Sequence, residues 1–213
     1  MGWFDGKIGI WPIVDTKVAQ RPSKHRPQGT KVLVPAMADG ERYKKLMIEA
    51  VIPAIKACMP RPEGHTIFVQ QDGATPHTKV GIMGPIEEAV GGDIVIETQP
   101  ANSPDLHVND LGFFHSIQQL KEYVRATNTQ ELVEAIADLF DVCPRDTLER
   151  VWQSLSAVYG EVLGSKGDNV YQNPYLGKEK AEKKGKLPEN APVDATKYRA
   201  GMEFGGLRGR HHR

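Results

Sequence analysis

The chain has 213 residues, of which 39% are hydrophobic, and its 27 basic residues are balanced by 27 acidic residues. This length suits one main domain with a sizeable core plus appendages, and the zero net charge excludes any argument for nucleic-acid binding from the charge of the whole molecule. Because the two cysteines form no CxxC pair and no apolar stretch approaches the roughly 20 residues of a membrane span, we expect a soluble, intracellular protein with no membrane partner.

Two strands are predicted near the N-terminus. The runs 7–14 (KIGIWPIV) and 30–37 (TKVLVPAM) are apolar, and they should pair like a hairpin at one side of a sheet. The Pro-rich stretch 21–29 between them carries Lys24 and Arg26 and should be an exposed loop. This basic loop is a candidate for following a DNA phosphate backbone, although a solvated face is the commoner explanation of such a run.

The middle of the chain alternates between helices and strands. Residues 39–59 have apolar side chains at helical spacing, and Pro53 predicts a kink there. Ile67–Val69 is the apolar part of a short buried strand, a short helix should end near Val90, and Ile94–Ile96 marks another strand.

Three further helices and a tail are predicted after the last strand. The first runs from Asp110 to Val124, the second is capped by Thr129, and the third has a capping-box pattern in Asp146 and Glu149 and ends at Gly164. Beyond it, charge, Gly and Pro predict an extended basic tail that is partly disordered. We therefore expect an α/β region at 1–126, a helical part of the same domain at 127–164, and the tail at 165–213.

Asp72 is the first candidate site residue. It follows the strand at 67–69 and precedes the loop formers Gly73 and Pro76, so it should lie at the strand end, where parallel sheets keep ligand and metal sites. The alternative is that Asp72 only caps a turn, as most Asp-Gly pairs do. A second carboxylate is needed to decide between them.

Asp110 supplies that second carboxylate. It lies in the first turn of a predicted helix, and the neighbouring Asp105 is assigned the role of capping the helix N-terminus. Two such aspartates on neighbouring elements can share one or two Mg²⁺ (or Mn²⁺) ions, since hard cations prefer carboxylate oxygens. In a two-metal site the ions lie about 3.5–4 Å apart and serve the attacking and leaving oxygens of a phosphodiester.

The sequences of the two acidic motifs resemble those of a known family. QQDGATPH (70–77) and PANSPDLHVNDLGFF (100–114) resemble the second and third acidic motifs of mariner-like DNA transposases, and 37 residues separate the two aspartates. Other stretches, among them 3–14 and 21–30, extend the resemblance over about residues 3 to 188. The resemblance implies an α/β fold with a ribonuclease-H-like mixed sheet flanked by helices.

The resemblance also implies roles for individual residues. Asp72 and Asp110 match the second and third catalytic, metal-binding aspartates, and the chemistry would be Mg²⁺-dependent DNA cleavage and strand transfer. His77 matches a histidine that would hold the loop or meet a DNA phosphate, and a plain surface histidine is an equal alternative. Gly73 stands where the family has asparagine. The implied partners are transposon terminal inverted repeats and target DNA, with a homodimer allowed, and the implied location is the nucleus.

One family feature has no counterpart in the chain. The first catalytic aspartate belongs on a strand upstream of residues 4–11, and Asp5, Asp15 and Asp39 all fall after that position. We therefore expect the C-terminal portion of an N-terminally truncated transposase that is inactive alone, which leaves open whether the chain is an enzyme. The alternative is a non-catalytic DNA-binding or assembly remnant that uses the basic loop and the basic tail.

Overall fold

The computed structural model of the protein describes residues 4–24, 26–60, 62–101, 103–121 and 126–167, and in addition residues 171, 195, 196 and 199. Their contacts form two compact units. The first comprises Met1–Asn102 with Ser116–Cys143, and the second comprises Ser103–His115 with Pro144–Arg213. Most of the predicted tail lies outside the described residues, so its character and the predicted boundaries stay predictions.

The first unit begins with an antiparallel pair of strands. Strand β1 (Val14–Val18) pairs with β2 (Lys31–Pro35), which confirms the predicted hairpin-like pair. The first strand starts at Val14, however, and residues 7–13 are in no strand. The strand does not extend further back because Pro12 lacks the N–H that strand pairing needs. At the loop end of the hairpin, the Ala19 N–H donates to the Thr30 carbonyl at 2.9 Å.

Helical segments follow in the order of the chain. Helix α1 (Gly40–Leu46) continues through a π-helical turn (Met47–Val51) into α2 (Ile52–Cys58). We predicted a kink at Pro53, and the π-helical turn ends two residues before it, at Val51. Proline has no N–H to donate to the preceding turn. The π-helical turn changes the spacing of the hydrogen bonds at this point, and the helix continues past the proline.

A parallel pair of strands lies at the centre of the first unit. Strand β3 (Ile67–Gln71) pairs with β4 (Ile94–Thr98), and α3 (Thr75–Thr78) and α4 (Met83–Val90) connect them. Both strands confirm the sequence prediction. The buried core of the unit is almost entirely aliphatic and comprises Met47, Ile52, Ile55, Ile67, Ile82, Ile86, Val90 and Ile94.

The sheet arrangement differs in one respect from the expectation. A mixed set of strands is present, since one pair is antiparallel and the other parallel. The four described strands form two separate two-stranded sheets, however, and not one mixed sheet. The α/β character of the fold is therefore confirmed, while the single ribonuclease-H-like sheet is not seen among the described residues.

In the part of the chain that the structure describes, three helices follow β4, and the caps of two of them correct predictions. They are α5 (Phe114–Lys121), α6 (Thr129–Val142) and α7 (Arg145–Gly164). Asn128 caps α6 by accepting from the Glu131 N–H at 3.0 Å, so the predicted cap at Thr129 is off by one residue. The predicted capping box of α7 is wrong, because Pro144 occupies the cap position and has no acceptor in its side chain.

Lys7, near the start of the described residues, forms hydrogen bonds with the end of α6. Its Nζ donates to the carbonyl oxygens of Asp141 at 2.6 Å, Phe140 at 3.3 Å and Cys143 at 3.5 Å, and its side chain is only 14% exposed. The last carbonyls of a helix have no partner within the helix, and a cation there also interacts favourably with the helix dipole. Lys7 thus completes the C-terminus of α6.

The second unit is built around α7 and the segment before α5. That segment has a 3-10 turn (Pro104–Leu106) and a π-helical turn (Asn109–Phe113), and both contact α7. A Cβ at Gly112 would lie 3.0 Å from Cγ2 of the buried Val151. Glycine therefore lets the π-helical turn approach α7 closely.

No helix among the residues described above is both long and apolar enough to cross a membrane.

Replacing Lys7 with methionine should destabilise the protein. Methionine keeps the apolar stem, but three carbonyl oxygens lose the ammonium group as a donor. Losing hydrogen bonds to a charged group costs about 1.5–3 kcal/mol. Urea unfolding measures the change. The control is Lys45→Met, because Lys45 is 72% exposed and its 3.9 Å pair with Glu49 should contribute less than about 1 kcal/mol. Equal losses in the two variants would contradict the role of Lys7.

Replacing Gly112 with alanine should also lower the free energy of unfolding, by about 1–3 kcal/mol, because the added methyl group overpacks the contact with Val151. In a Val151→Ala background, the same substitution should leave the free energy of unfolding unchanged or raise it. The space beside position 112 is then free, and alanine favours a helix more than glycine does. A double-mutant cycle by chemical unfolding gives the coupling between the two positions. An unchanged cost in both backgrounds would show that the close approach is unimportant.

Candidate active site

Asp72 lies directly after β3, at the edge where the parallel pair ends. Its Oδ1 accepts a hydrogen bond of 3.0 Å from the Ala74 N–H, so it does close the turn that follows the strand. The same oxygen lies 2.6 Å from Nδ1 of His77. Within the described part of the chain, Oδ2 has no hydrogen-bond partner. Capping the turn therefore leaves one oxygen of Asp72 for another ligand.

His77 reaches Asp72 from the short helix α3. Its ring is half-buried, and the 2.6 Å contact to a carboxylate oxygen requires a proton on Nδ1. This arrangement is that of a histidine that fixes the orientation of a carboxylate. Gly73, in the same loop, has room for a side chain, since a Cβ there would meet only Thr98 Cγ2 at 3.9 Å.

Gln71, a buried polar residue immediately before Asp72, was not predicted from the sequence. It is only 6% exposed. Its side-chain nitrogen donates to Thr98 Oγ1 at 3.1 Å, and its side-chain oxygen Oε1 accepts from the Tyr43 hydroxyl of α1. The Tyr43 ring also stacks on His77, with 4.2 Å between ring centroids. The available signal was the alternation of β3, which places Gln71 on the same face as the buried Ile67.

The environment of Tyr43 keeps its hydroxyl neutral. Burial, and secondarily the negative charge of Asp72, raises the pKa of Tyr43 to about 12. The hydroxyl therefore remains a hydrogen-bond donor over the whole physiological range of pH.

Asp110 lies on the π-helical turn of the second unit and is exposed. Its Oδ2 is 2.7 Å from Nδ1 of His107, three residues earlier, and Oδ1 has no hydrogen-bond partner among the residues that the structure describes. His107 was not singled out from the sequence, although its spacing to Asp110 is that of neighbours on a helix. π-helical turns are frequent at functional sites.

Asp105 does not have the role predicted for it. It lies within the 3-10 turn, and Val108 precedes the π-helical turn without any side-chain cap. The capping prediction fails because the chain bends through a separate turn before the helical segment begins.

Asp72 belongs to the first compact unit and Asp110 to the second. The structure brings each aspartate together with a histidine of its own unit. Among the described residues, no group of three or more His, Cys, Asp and Glu side chains could hold a metal ion. The donor chemistry still suits a hard cation such as Mg²⁺, because each carboxylate keeps one unengaged oxygen.

The basic loop between β1 and β2 is held by backbone hydrogen bonds. Ser23 and Arg26 bond to each other across a tight turn, with distances of 2.8 and 3.2 Å, and Lys24 is exposed on that turn. Arg26 and Lys31 line a groove of about 1000 Å³ whose other wall includes Asn128 and Thr129 at the start of α6. Nε of Arg26 is shielded from solvent without a hydrogen-bond partner in the described residues.

Comparison with known proteins identifies the fold. No protein-family model matches the chain, and neither does any curated protein. Among solved structures, the chain is similar to the catalytic domain of Mos1 mariner transposase, with a TM-score of 0.55 and 18% sequence identity. The similarity covers 67% of this chain and 70% of the other. The protein thus has the fold of a mariner transposase catalytic domain.

Proposed function

We propose that the chain belongs to a mariner-like transposase, an enzyme that cuts DNA at transposon ends and inserts the freed ends into target DNA. The observation that carries the proposal is the repeated aspartate–histidine pair at the two motif positions, in a chain with the fold of a transposase catalytic domain. Terminal inverted repeats and target DNA are the proposed partners, a homodimer is allowed, and the proposed location is the nucleus.

Each aspartate has a defined part in this proposal. The open oxygens, Oδ2 of Asp72 and Oδ1 of Asp110, would hold Mg²⁺ or Mn²⁺, while His77 and His107 keep the other oxygen of each carboxylate in place. When bound, the ions activate the attacking oxygen and stabilise the leaving oxygen of the phosphodiester. Cleavage by water leaves a 3′-hydroxyl, and that hydroxyl then attacks a phosphodiester of the target DNA.

The two aspartates by themselves should support little activity. Two carboxylates bind a divalent ion weakly and position it poorly, since such ions need several well-placed ligands. We therefore expect DNA cleavage that depends on these two aspartates alone to be undetectable or slow.

A second function, non-catalytic DNA binding, is favoured by the basic loop. Lys24 is exposed, and Arg26 and Lys31 both line the groove beside the loop. Such groups neutralise backbone phosphates without reading sequence. This function would remain in a chain that cuts nothing.

Metal binding tests the first proposal. Asp72→Asn and Asp110→Asn should each lower the affinity for Mn²⁺, measured by electron paramagnetic resonance, by at least about tenfold, because each removes a charged ligand. Asp105→Asn is the matched control, since it removes the same charge from the same motif, and it should change the affinity less than about twofold. Equal Mn²⁺ binding in all three variants would refute the assignment of the two aspartates.

DNA binding tests the second. The double variant Lys24→Gln, Arg26→Gln should weaken binding to duplex DNA and reduce the slope of log affinity against log salt by about 1–2, because up to two phosphate contacts are lost. Lys45→Gln, which removes an exposed charge outside the loop, serves as the control. Fluorescence anisotropy between low and high salt gives both quantities. Binding that is insensitive to ionic strength would exclude this mode.

A further inference from the structure

We propose that Tyr43 and Gln71 are positioning residues that hold the Asp72–His77 pair in its observed orientation. The consequence for metal binding rests on the proposed function of Asp72, whereas the contacts themselves do not depend on it.

Tyr43 contacts one residue before Asp72 in the sequence and one residue after it. On one side its hydroxyl donates to the side-chain oxygen Oε1 of Gln71, the residue directly before Asp72. On the other side its ring packs on His77, at 4.2 Å between centroids and an angle of 35°. One side chain of α1 thus fixes the residue preceding the aspartate and the histidine that pairs with it.

Gln71 extends the chain of contacts to the neighbouring strand. Its amide nitrogen donates to Thr98 Oγ1 at 3.1 Å and approaches Met83 Sδ at 3.5 Å. With its oxygen bonded to Tyr43, the buried amide has partners at both ends, so its orientation is determined. A buried amide destabilises the fold when one of its hydrogen-bond partners is missing. The orientation of Gln71 should therefore change when either partner is removed.

The hydroxyl and the ring have separable roles. Phenylalanine at position 43 would keep the ring against His77 but remove the donor from Gln71, while leucine would remove both. If Tyr43 served only to fill the core, phenylalanine would replace it fully, because the two rings have nearly the same shape. The comparison between Phe and Leu therefore distinguishes positioning from packing.

The tautomer of His77 gives a readout that needs no metal. In the wild-type chain, ¹⁵N nuclear magnetic resonance above neutral pH should show a proton on Nδ1 of His77, as its contact with Asp72 requires. The signal is assigned with His77→Gln. In Tyr43→Phe we expect a mixture of tautomers, and in Tyr43→Leu a larger change. Ile55→Val, a conservative change elsewhere in the same core, should leave the signal unaltered.

Thr98→Val provides a second variant that should fold, since Thr98 is exposed and the substitution preserves its shape. It removes the acceptor of the Gln71 amide and should also disturb the His77 signal. Mn²⁺ affinity of the full chain should fall severalfold to about tenfold in Tyr43→Phe, as for other partners that orient metal ligands.

The outcomes separate this inference from the proposed function. If Tyr43→Phe and Thr98→Val both leave the His77 signal as in the wild type, the positioning role is refuted. If the signal changes while even Asp72→Asn leaves Mn²⁺ affinity unaltered, the positioning role stands and the assignment of Asp72 as a metal ligand fails.

Discussion

The parallel pairing of β3 with β4 is the constraint on which the candidate site depends. The register from Ile67↔Ile94 to Gln71↔Thr98 ends both strands at the same edge, and Asp72 begins there. Burial fixes that register, because Ile67 is in the core while its neighbour Phe68 is 61% exposed. A slip of one residue would exchange the two faces, and it would take Gln71 away from Tyr43.

The same local arrangement occurs around two aspartates in two different units. Asp72 receives His77 from a short helix, and Asp110 receives His107 from the residues just before its π-helical turn. Each pair is formed by residues close in sequence, so each is specified by its own segment. In each aspartate, one oxygen is oriented by a histidine, and the other has no hydrogen-bond partner among the described residues.

Local patterns made most of the elements predictable, and contacts distant in sequence account for the rest. Apolar periodicity predicted β3, β4, α6 and α7. The assignment of Asp72 and Asp110 as site residues came from the resemblance of their motifs and stays a prediction. The start of β1 was missed because its partner strand β2 ends at Pro35, opposite Val14, and because Pro12 lacks the N–H that further pairing needs. The Tyr43–Gln71 contact was missed because a helix face and a strand face meet only in the folded chain, and a single inward glutamine does not reveal its partner.

The anchoring of Lys7 has a consequence for biosynthesis. Lys7 bonds to carbonyl groups 133 to 136 residues further along the chain. At a synthesis rate of about 5–20 residues per second, roughly 7–27 s pass before those carbonyl groups exist. During that interval the Lys7 ammonium has only the nearby carboxylate of Asp5 as a partner, whereas β3, α4 and β4 are already available to assemble their aliphatic core. The segment around Lys7 should therefore be among the last parts of the first unit to reach its final position on a ribosome-bound chain, although it is synthesised before β3, α4 and β4.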